Sequence, residues 1–267
     1  MIGLPRSTYH YKHKERGRPV SDADLIAAMI AIKGEFPLYG SPRVTHELGR
    51  RGCKANHKRV ERLMKANDLN VKSRRRFVRT TNSDHPYPIY PNLYRNVIPA
   101  KVDVVWVADI TYIALEDDRF AYAAVILDAC SRKVVGYAIS KRIDAKLALA
   151  ALEAAIAARK PKSGCIHHSD RGVQYASNAY RRILADHGLA GSMSALANPY
   201  DNAQAESFMK TLKVEEVYLA GYKTYEDVVE RLPRFIEDVY NTKRIHSALG
   251  YVPPQEFEDQ LAQNAAA

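Results

Sequence analysis

The chain has 267 residues, 46% of them hydrophobic and 26% charged, which suffices for one large domain or two smaller ones, each with its own core. Its net charge of +10 is uneven: residues 1–101 hold 21 Lys+Arg against 8 Asp+Glu, and residues 102–267 hold 19 against 22. No apolar run reaches the length of a membrane span, and Cys53, Cys130 and Cys165 lack the spacing of a disulfide framework or a zinc site. Met1-Ile-Gly-Leu-Pro5 does not read as a secretory signal, so a reducing cytoplasm is expected. A basic front half points to nucleic acid as partner; a merely solvated basic surface is the alternative.

Residues 1–20 form a basic arm, and 21–80 carry three short helical patterns. The first spans about Asp22–Lys33, the second opens at Ser41-Pro42 and stops at Gly52, and the third runs from Asn56 to about Asn67. On the third, Lys58, Arg62 and Lys65 recur on one face beside Arg59, opposite Val60, Leu63 and Met64. This predicts a helix-turn-helix type DNA-binding module, with Lys58, Arg59, Arg62, Lys65 and the following Arg74, Arg75 and Arg76 as DNA contacts. A small bundle with a solvated basic face would show the same pattern.

Residues 81–102 hold Pro86, Pro88, Pro91 and Pro99 among tyrosines, which predicts an extended linker. Its tyrosines could stack on bases or pack against a neighbouring domain. Strands are expected at Val104–Ile113, Phe120–Leu127 and Lys133–Ile139, then a helix from the cap Asp144 to Lys160. A strand at Cys165–His168, a helix at Asn178–His187, a strand at Leu189–Met193 and a helix from Ala203 to about Tyr218 complete a core over 103–220. The order βββ-α-β-α-β-α predicts an α/β fold with a mixed sheet of ribonuclease H-like topology, preceded by a small all-α domain. In the extension 221–267 one helix is expected, Tyr225–Asn241, kinked by Pro233.

Three acids stand out in this core. Asp109 interrupts an apolar strand and shares a face with Val105, Val107, Thr111 and Ile113. Asp170 follows the strand Cys165–His168, and Glu206 opens a helix whose same face carries Lys210 and Lys213. Each has a structural reading when taken singly: a caged strand aspartate, an Asx-turn before Arg171-Gly172, a dipole partner in a first helical turn. Together they can meet at one edge of a sheet, as hard-oxygen ligands for a divalent cation must. His167 and His168 read as structural, and Asn198, Asp201 and Asn202 as loop-fixing.

The segments Trp106–Tyr112, His168–Tyr175 and Asn198–Glu206, with 35 residues between Asp170 and Glu206, resemble the DDE blocks of the retroviral-integrase superfamily of transposases. More narrowly, the chain resembles OrfB-type transposases of the third insertion-sequence family. The likeness continues through Leu127–Gly136, Thr211–Glu215, Tyr240–Leu249, Arg6-Ser-Thr-Tyr9 and Tyr39-Gly-Ser-Pro-Arg43. It departs at Ser194-Ala-Leu-Ala197, where many relatives carry a basic residue and a glycine. The resemblance implies cleavage and strand transfer of insertion-sequence ends, with Asp109, Asp170 and Glu206 as catalytic acids and ligands of two Mg²⁺ ions, Mn²⁺ being a possible substitute. It implies phosphate contacts from Lys210 and Lys213, an OrfA portion or OrfA–OrfB fusion as partner, and an oligomer on DNA in the bacterial cytoplasm at the nucleoid. The competing expectation is a non-catalytic DNA-binding regulator or a domesticated, inactive transposase; a nuclease acting on RNA·DNA hybrids is a further rival.

Overall fold

The computed structural model describes residues 20–71, 88–95, 97, 99–116, 119–195 and 199–266. The basic arm 1–19, Arg74, Arg75, Arg76, Pro86 and Asn198 lie outside the described residues. The chain divides into two compact units, 1–73 and 74–267. Among the described residues no helix is long and apolar enough to cross a membrane.

The first unit packs three helices: α1 (Asp22–Glu35), α2 (Ser41–Arg50) and α3 (His57–Ala66). Ser21 and Asn56 cap α1 and α3 by accepting backbone N–H groups, and Pro42 sits in the first turn of α2, where its missing donor costs nothing. Leu25, Met29 and Ile32 from α1 join Val44 and Leu48 from α2 and Val60, Leu63 and Met64 from α3 in the buried set.

The second unit is built on a five-stranded sheet ordered β3-β2-β1-β4-β5. Its strands are β1 (Val105–Ala114), β2 (Phe120–Asp128), β3 (Val134–Ser140), β4 (Ile166–Ser169) and β5 (Ala190–Met193). The first three run antiparallel, while β4 joins β1 and β5 joins β4 in parallel. The helices are α4 (Ala145–Arg159), the short α5 (Val173–Ala176), α6 (Asn178–Asp186), α7 (Ala203–Leu212), α8 (Tyr218–Ala220), α9 (Tyr225–Arg234) and α10 (Pro254–Ala266). Alternation along β1 divides the core: Val105, Val107 and Ile113 pack with α7 and α9, whereas Trp106 and Ala108 pack with α4 and α6.

Gly136 in β3 is where α4 approaches most closely. A Cβ there would lie 2.5 Å from the Ala151 carbonyl oxygen and 2.6 Å from Ala155 Cβ. Gly136→Ala is expected to destabilise this unit by about 1–3 kcal/mol through overpacking. Urea unfolding checks this, and an unchanged midpoint would mean that α4 can slide away.

Two expected helices end differently from the sequence pattern. The helix expected from Ala203 to Tyr218 keeps α-geometry only to Leu212, and a π-turn over Lys213–Val217 leads into α8. The helix expected over Tyr225–Asn241 holds Pro233 and passes into a π-helical stretch at Phe235–Asn241. The kink is thus absorbed by widening of the hydrogen-bond ladder after the proline, which cannot donate to it. The helix α10 was not signalled by the sequence pattern. Its Glu258 accepts from Arg159 of α4 at 2.7 Å and from Ser131 Oγ at 2.7 Å.

The expected linker docks on the sheet through its described part. The Tyr90 ring covers Gly191 of β5, its hydroxyl accepts from Arg181 Nε at 3.4 Å, and Leu93 N–H donates to Ser192 Oγ at 2.8 Å. Tyr94 lies against the His168 ring, with centroids 5.2 Å apart. Of the two roles open to these tyrosines, packing on a neighbouring domain is the one observed.

Candidate active site

Asp109 sits near the middle of β1, opposite Val125 of β2, on the face that packs against α7. The parallel ladder pairs Val105 with Ile166 and Val107 with His168. Asp109 and Asp170 each lie two residues beyond that last pair, Asp170 in the loop that follows β4. Asp170 Oδ1 accepts Gly172 N–H at 2.9 Å, the Asx-turn expected from Asp-Arg-Gly. Glu206 stands exposed in the first turn of α7.

The turn before α7 is tied to β1. Asn202 is buried and donates from Nδ2 to the Ala108 carbonyl at 3.1 Å, one residue before Asp109. Asp201 accepts Ala195 N–H at 2.7 Å, which fixes the far end of the loop. Both residues therefore serve the position of α7, and so of Glu206. Ser194 accepts Arg171 Nε on its carbonyl at 2.8 Å.

The carboxylates repel one another. Burial, chiefly, and then the negative charge of Asp170 push Asp109 up to about 8, with a smaller push from Glu206; Ile110 N–H and Lys213 act in the opposite sense. Glu206 is likewise raised, by burial and then by Asp170. Among the described residues, however, no three His, Cys, Asp or Glu side chains converge at metal-ligand spacing. The acids sense each other's charge without closing into a ligand cage.

Lys213 lies half-buried at the end of α7, its ammonium 4.0 Å from the centroid of the Tyr112 ring. Burial holds its pKa below the usual lysine value, with Asp109 partly compensating. Lys210 is exposed. His167 and His168 are buried and hydrogen-bonded, His167 Nε2 to Tyr180 Oη at 3.0 Å and His168 Nδ1 to Ser192 Oγ at 2.8 Å. Burial lowers them to about 3 and about 4, so both are neutral packing groups near pH 7.

On the helical unit, Lys58 and Lys65 are exposed. Arg59 and Arg62 turn back on the start of α1 and pair with Asp22, Arg62 at 3.1 Å. Sequence periodicity groups Arg62 with the two lysines, but cannot show that a carboxylate from another helix occupies it.

An Integrase core domain family matches residues 99–199, a second family of that description matches 187–254, and an HTH-like domain matches 20–77. The insertion element IS600 uncharacterized 31 kDa protein of Shigella sonnei is 37% identical over 270 residues, covering 100% of this chain and 99% of that one. The transposase for insertion sequence element IS904 of Lactococcus lactis subsp. lactis (strain IL1403) is 38% identical over 221 residues, covering 82% of this chain and 87% of the relative. Among solved structures, the simian T-cell lymphotropic virus intasome in complex with PP2A regulatory subunit B56 gamma matches with a TM-score of 0.51 at 16% identity, over 89% of this chain and 74% of that one, a likeness of fold. The mixed sheet, the integrase-core match and identity of 37–38% to insertion-sequence proteins over most of the chain lead to one conclusion: the chain belongs to the family of insertion-sequence transposases.

Proposed function

We propose that this chain cleaves the DNA ends of an insertion sequence and joins them to target DNA by divalent-metal-dependent phosphoryl transfer, with Asp109, Asp170 and Glu206 as the metal-holding acids. The observation that carries this reading is a carboxyl set on an apolar sheet face inside the integrase-core match: burial, and then the charge of Asp170 with a smaller push from Glu206, raises Asp109 to about 8. The donor set fits a hard cation: every ligand is a carboxylate oxygen, and the charge that these groups force on one another is of the sign a cation relieves. Two Mg²⁺ ions, or Mn²⁺ in their place, would supply an acidified attacking oxygen and neutralise the leaving one.

The chain's own groups do the rest. Lys213, and Lys210 one turn earlier on α7, hold phosphates beside the acids. Asn202 and Asp201 keep Glu206 in place through Ala108 and Ala195. The helical unit adds charge from Lys58, Lys65 and Arg62, and Arg59 braces α3 against α1 through Asp22. Two element ends have to be held together, so the working complex is an oligomer, and an OrfA portion contributes to recognition of those ends. The direct test is Mg²⁺-dependent nicking and joining of labelled element-end DNA, with and without the upstream OrfA portion. Absence of nicking under both conditions would leave the regulator reading in its place.

A pH dependence accompanies this reading. In the folded chain burial, chiefly, keeps the proton on Asp109 up to about 8, against 3.8 for an ordinary aspartate. The folded state therefore binds more protons between those values, so the stability from this group is full below the lower one and is lost as pH rises towards the upper. A divalent cation replaces the proton. The rise in Tm on adding Mg²⁺ should therefore be larger at about pH 8.5 than at about pH 6, by roughly 2–4 °C for each kcal/mol involved. Asp109→Asn should erase the difference. Calorimetry at both pH values decides it, and a Mg²⁺ effect independent of pH would count against the assignment.

A further inference from the structure

A concave site lies at the start of α7. It is a cleft of about 670 Å³ whose wall includes Arg95, Arg132 from the β2–β3 turn, Asp201, which accepts Ala195 N–H, Gln204 of α7, and Leu249 and Phe257 from the C-terminal segment. That volume is in the range of small-ligand pockets. Arg159 and Arg244 each engage a glutamate through two nitrogens, whereas the guanidinium groups of Arg95 and Arg132 make no ion pair among the described residues. Gln204 Oε1 is buried and accepts no hydrogen bond. A buried acceptor without a donor is costly unless a ligand supplies one.

Position narrows the ligand. Ala203 precedes Glu206 by three residues on α7, so the two share a helix face and lie about 4.5 Å apart along its axis. One nucleotide step along a strand is of similar size, about 3.4 Å in a duplex and longer when extended. Unpaired guanidinium groups call for phosphate, apolar walls for a flat ring, and a buried acceptor for an N–H edge. A nucleotide unites the three; inorganic phosphate uses only the first.

We propose that this cleft receives one unstacked nucleotide of the DNA substrate, next to the reacting phosphate. Arg95 and Arg132 hold its phosphate, and a base N–H donates to Gln204 Oε1 between Leu249 and Phe257. All four bases carry such an N–H, so the site takes a nucleotide of any sequence. The inference rests on reading DNA as the substrate, and it adds a base-holding role that the three acids do not require. Unstacking has a free-energy cost, which contacts to the released base and its phosphate offset.

The test uses the purified full-length chain in EDTA, titrated with dAMP and, separately, with inorganic phosphate, followed by saturation-transfer NMR and calorimetry. Wild-type protein should bind dAMP at up to millimolar concentration and phosphate at least about tenfold more weakly. Arg132→Ala should weaken dAMP by about tenfold and abolish phosphate binding; Gln204→Leu should weaken dAMP and leave phosphate unchanged. Should Gln204→Leu fail to fold by circular dichroism, Gln204→Glu keeps size and polarity, and its charge should repel the nucleotide. No dAMP binding at millimolar concentration, equal binding of phosphate, or indifference to both substitutions overturns the proposal. Strand-transfer assays on the same preparations separate the two readings: transfer without dAMP binding removes the cleft alone, and dAMP binding without transfer removes the transposase reading.

Discussion

Asp170→Ala is expected to lower strand transfer by about three orders of magnitude or more, with binding of element-end DNA nearly unchanged. The carboxylate lies just beyond the end of β4, and its charge adds to burial in raising the proton affinity of both other acids. On the proposed reading, removing it takes away one oxygen donor and one of the charges that would draw a cation to Asp109. The alanine variant also loses the acceptor for Gly172 N–H, so loss of activity alone could reflect a loosened turn. Asp170→Asn separates the two effects, because an amide oxygen still accepts that N–H but brings no negative charge. Transfer near the wild-type rate by Asp170→Asn, measured on labelled end DNA in Mg²⁺, would remove this residue from the chemistry. In the same variant Asp109 should titrate closer to an ordinary carboxylate, which carbon-detected NMR can follow.

The largest loss of stability is expected from Arg244→Ala. Arg244 is buried and meets Glu215 of the π-turn in a two-pronged pair, Nε to Oε2 at 2.7 Å and Nη2 to Oε1 at 2.7 Å. Beside it, the rings of Tyr240 and His246 stand edge to face at 5.0 Å. Truncating the arginine leaves the Glu215 carboxylate with little water and one partner fewer, a change that costs about 3–5 kcal/mol when a buried pair is broken from one side. Thermal unfolding should show it as a fall of roughly 6–20 °C, at about 2–4 °C per kcal/mol in a unit of this size. Glu215→Gln, which keeps an acceptor and removes the charge, should cost less. A fall of under about 2 °C for Arg244→Ala would mean that solvent reaches the pair freely.

Sequence pattern was informative where period and caps act locally. Ser21, Asn56 and Asp144 occupy the N-caps of α1, α3 and α4, and alternation along β1 places Asp109 on the face opposite Trp106. The three antiparallel strands followed from turn residues and apolar runs, and the parallel strands from their separation by helices. What escaped the pattern depends on partners distant in sequence. The helix α10 has few apolar residues of its own and is held by Glu258 through Arg159, Lys133 and Ser131. The block Leu127–Gly136, noticed for its resemblance, is largely a structural hub. Asp128 caps its turn by accepting from Cys130, Ser131 and Asp103 N–H groups. Arg59 and Arg62 could be read as basic, but their pairing with Asp22 requires the fold. The three acids were picked out from their sequence surroundings; that burial, and then the charge of Asp170, raises Asp109 was not legible, since it depends on the packing of distant segments.

The side chain of Asn241 imitates a strand. It accepts Val134 N–H at 2.9 Å and donates to the Val134 carbonyl at 3.0 Å, at the start of β3. Together with the grip of Glu258 on α4, this makes residues more than a hundred positions beyond β1 part of what closes the sheet. Synthesis interrupted before that point yields a chain with an unfinished interior, which quality control can remove before it ever meets a chromosome.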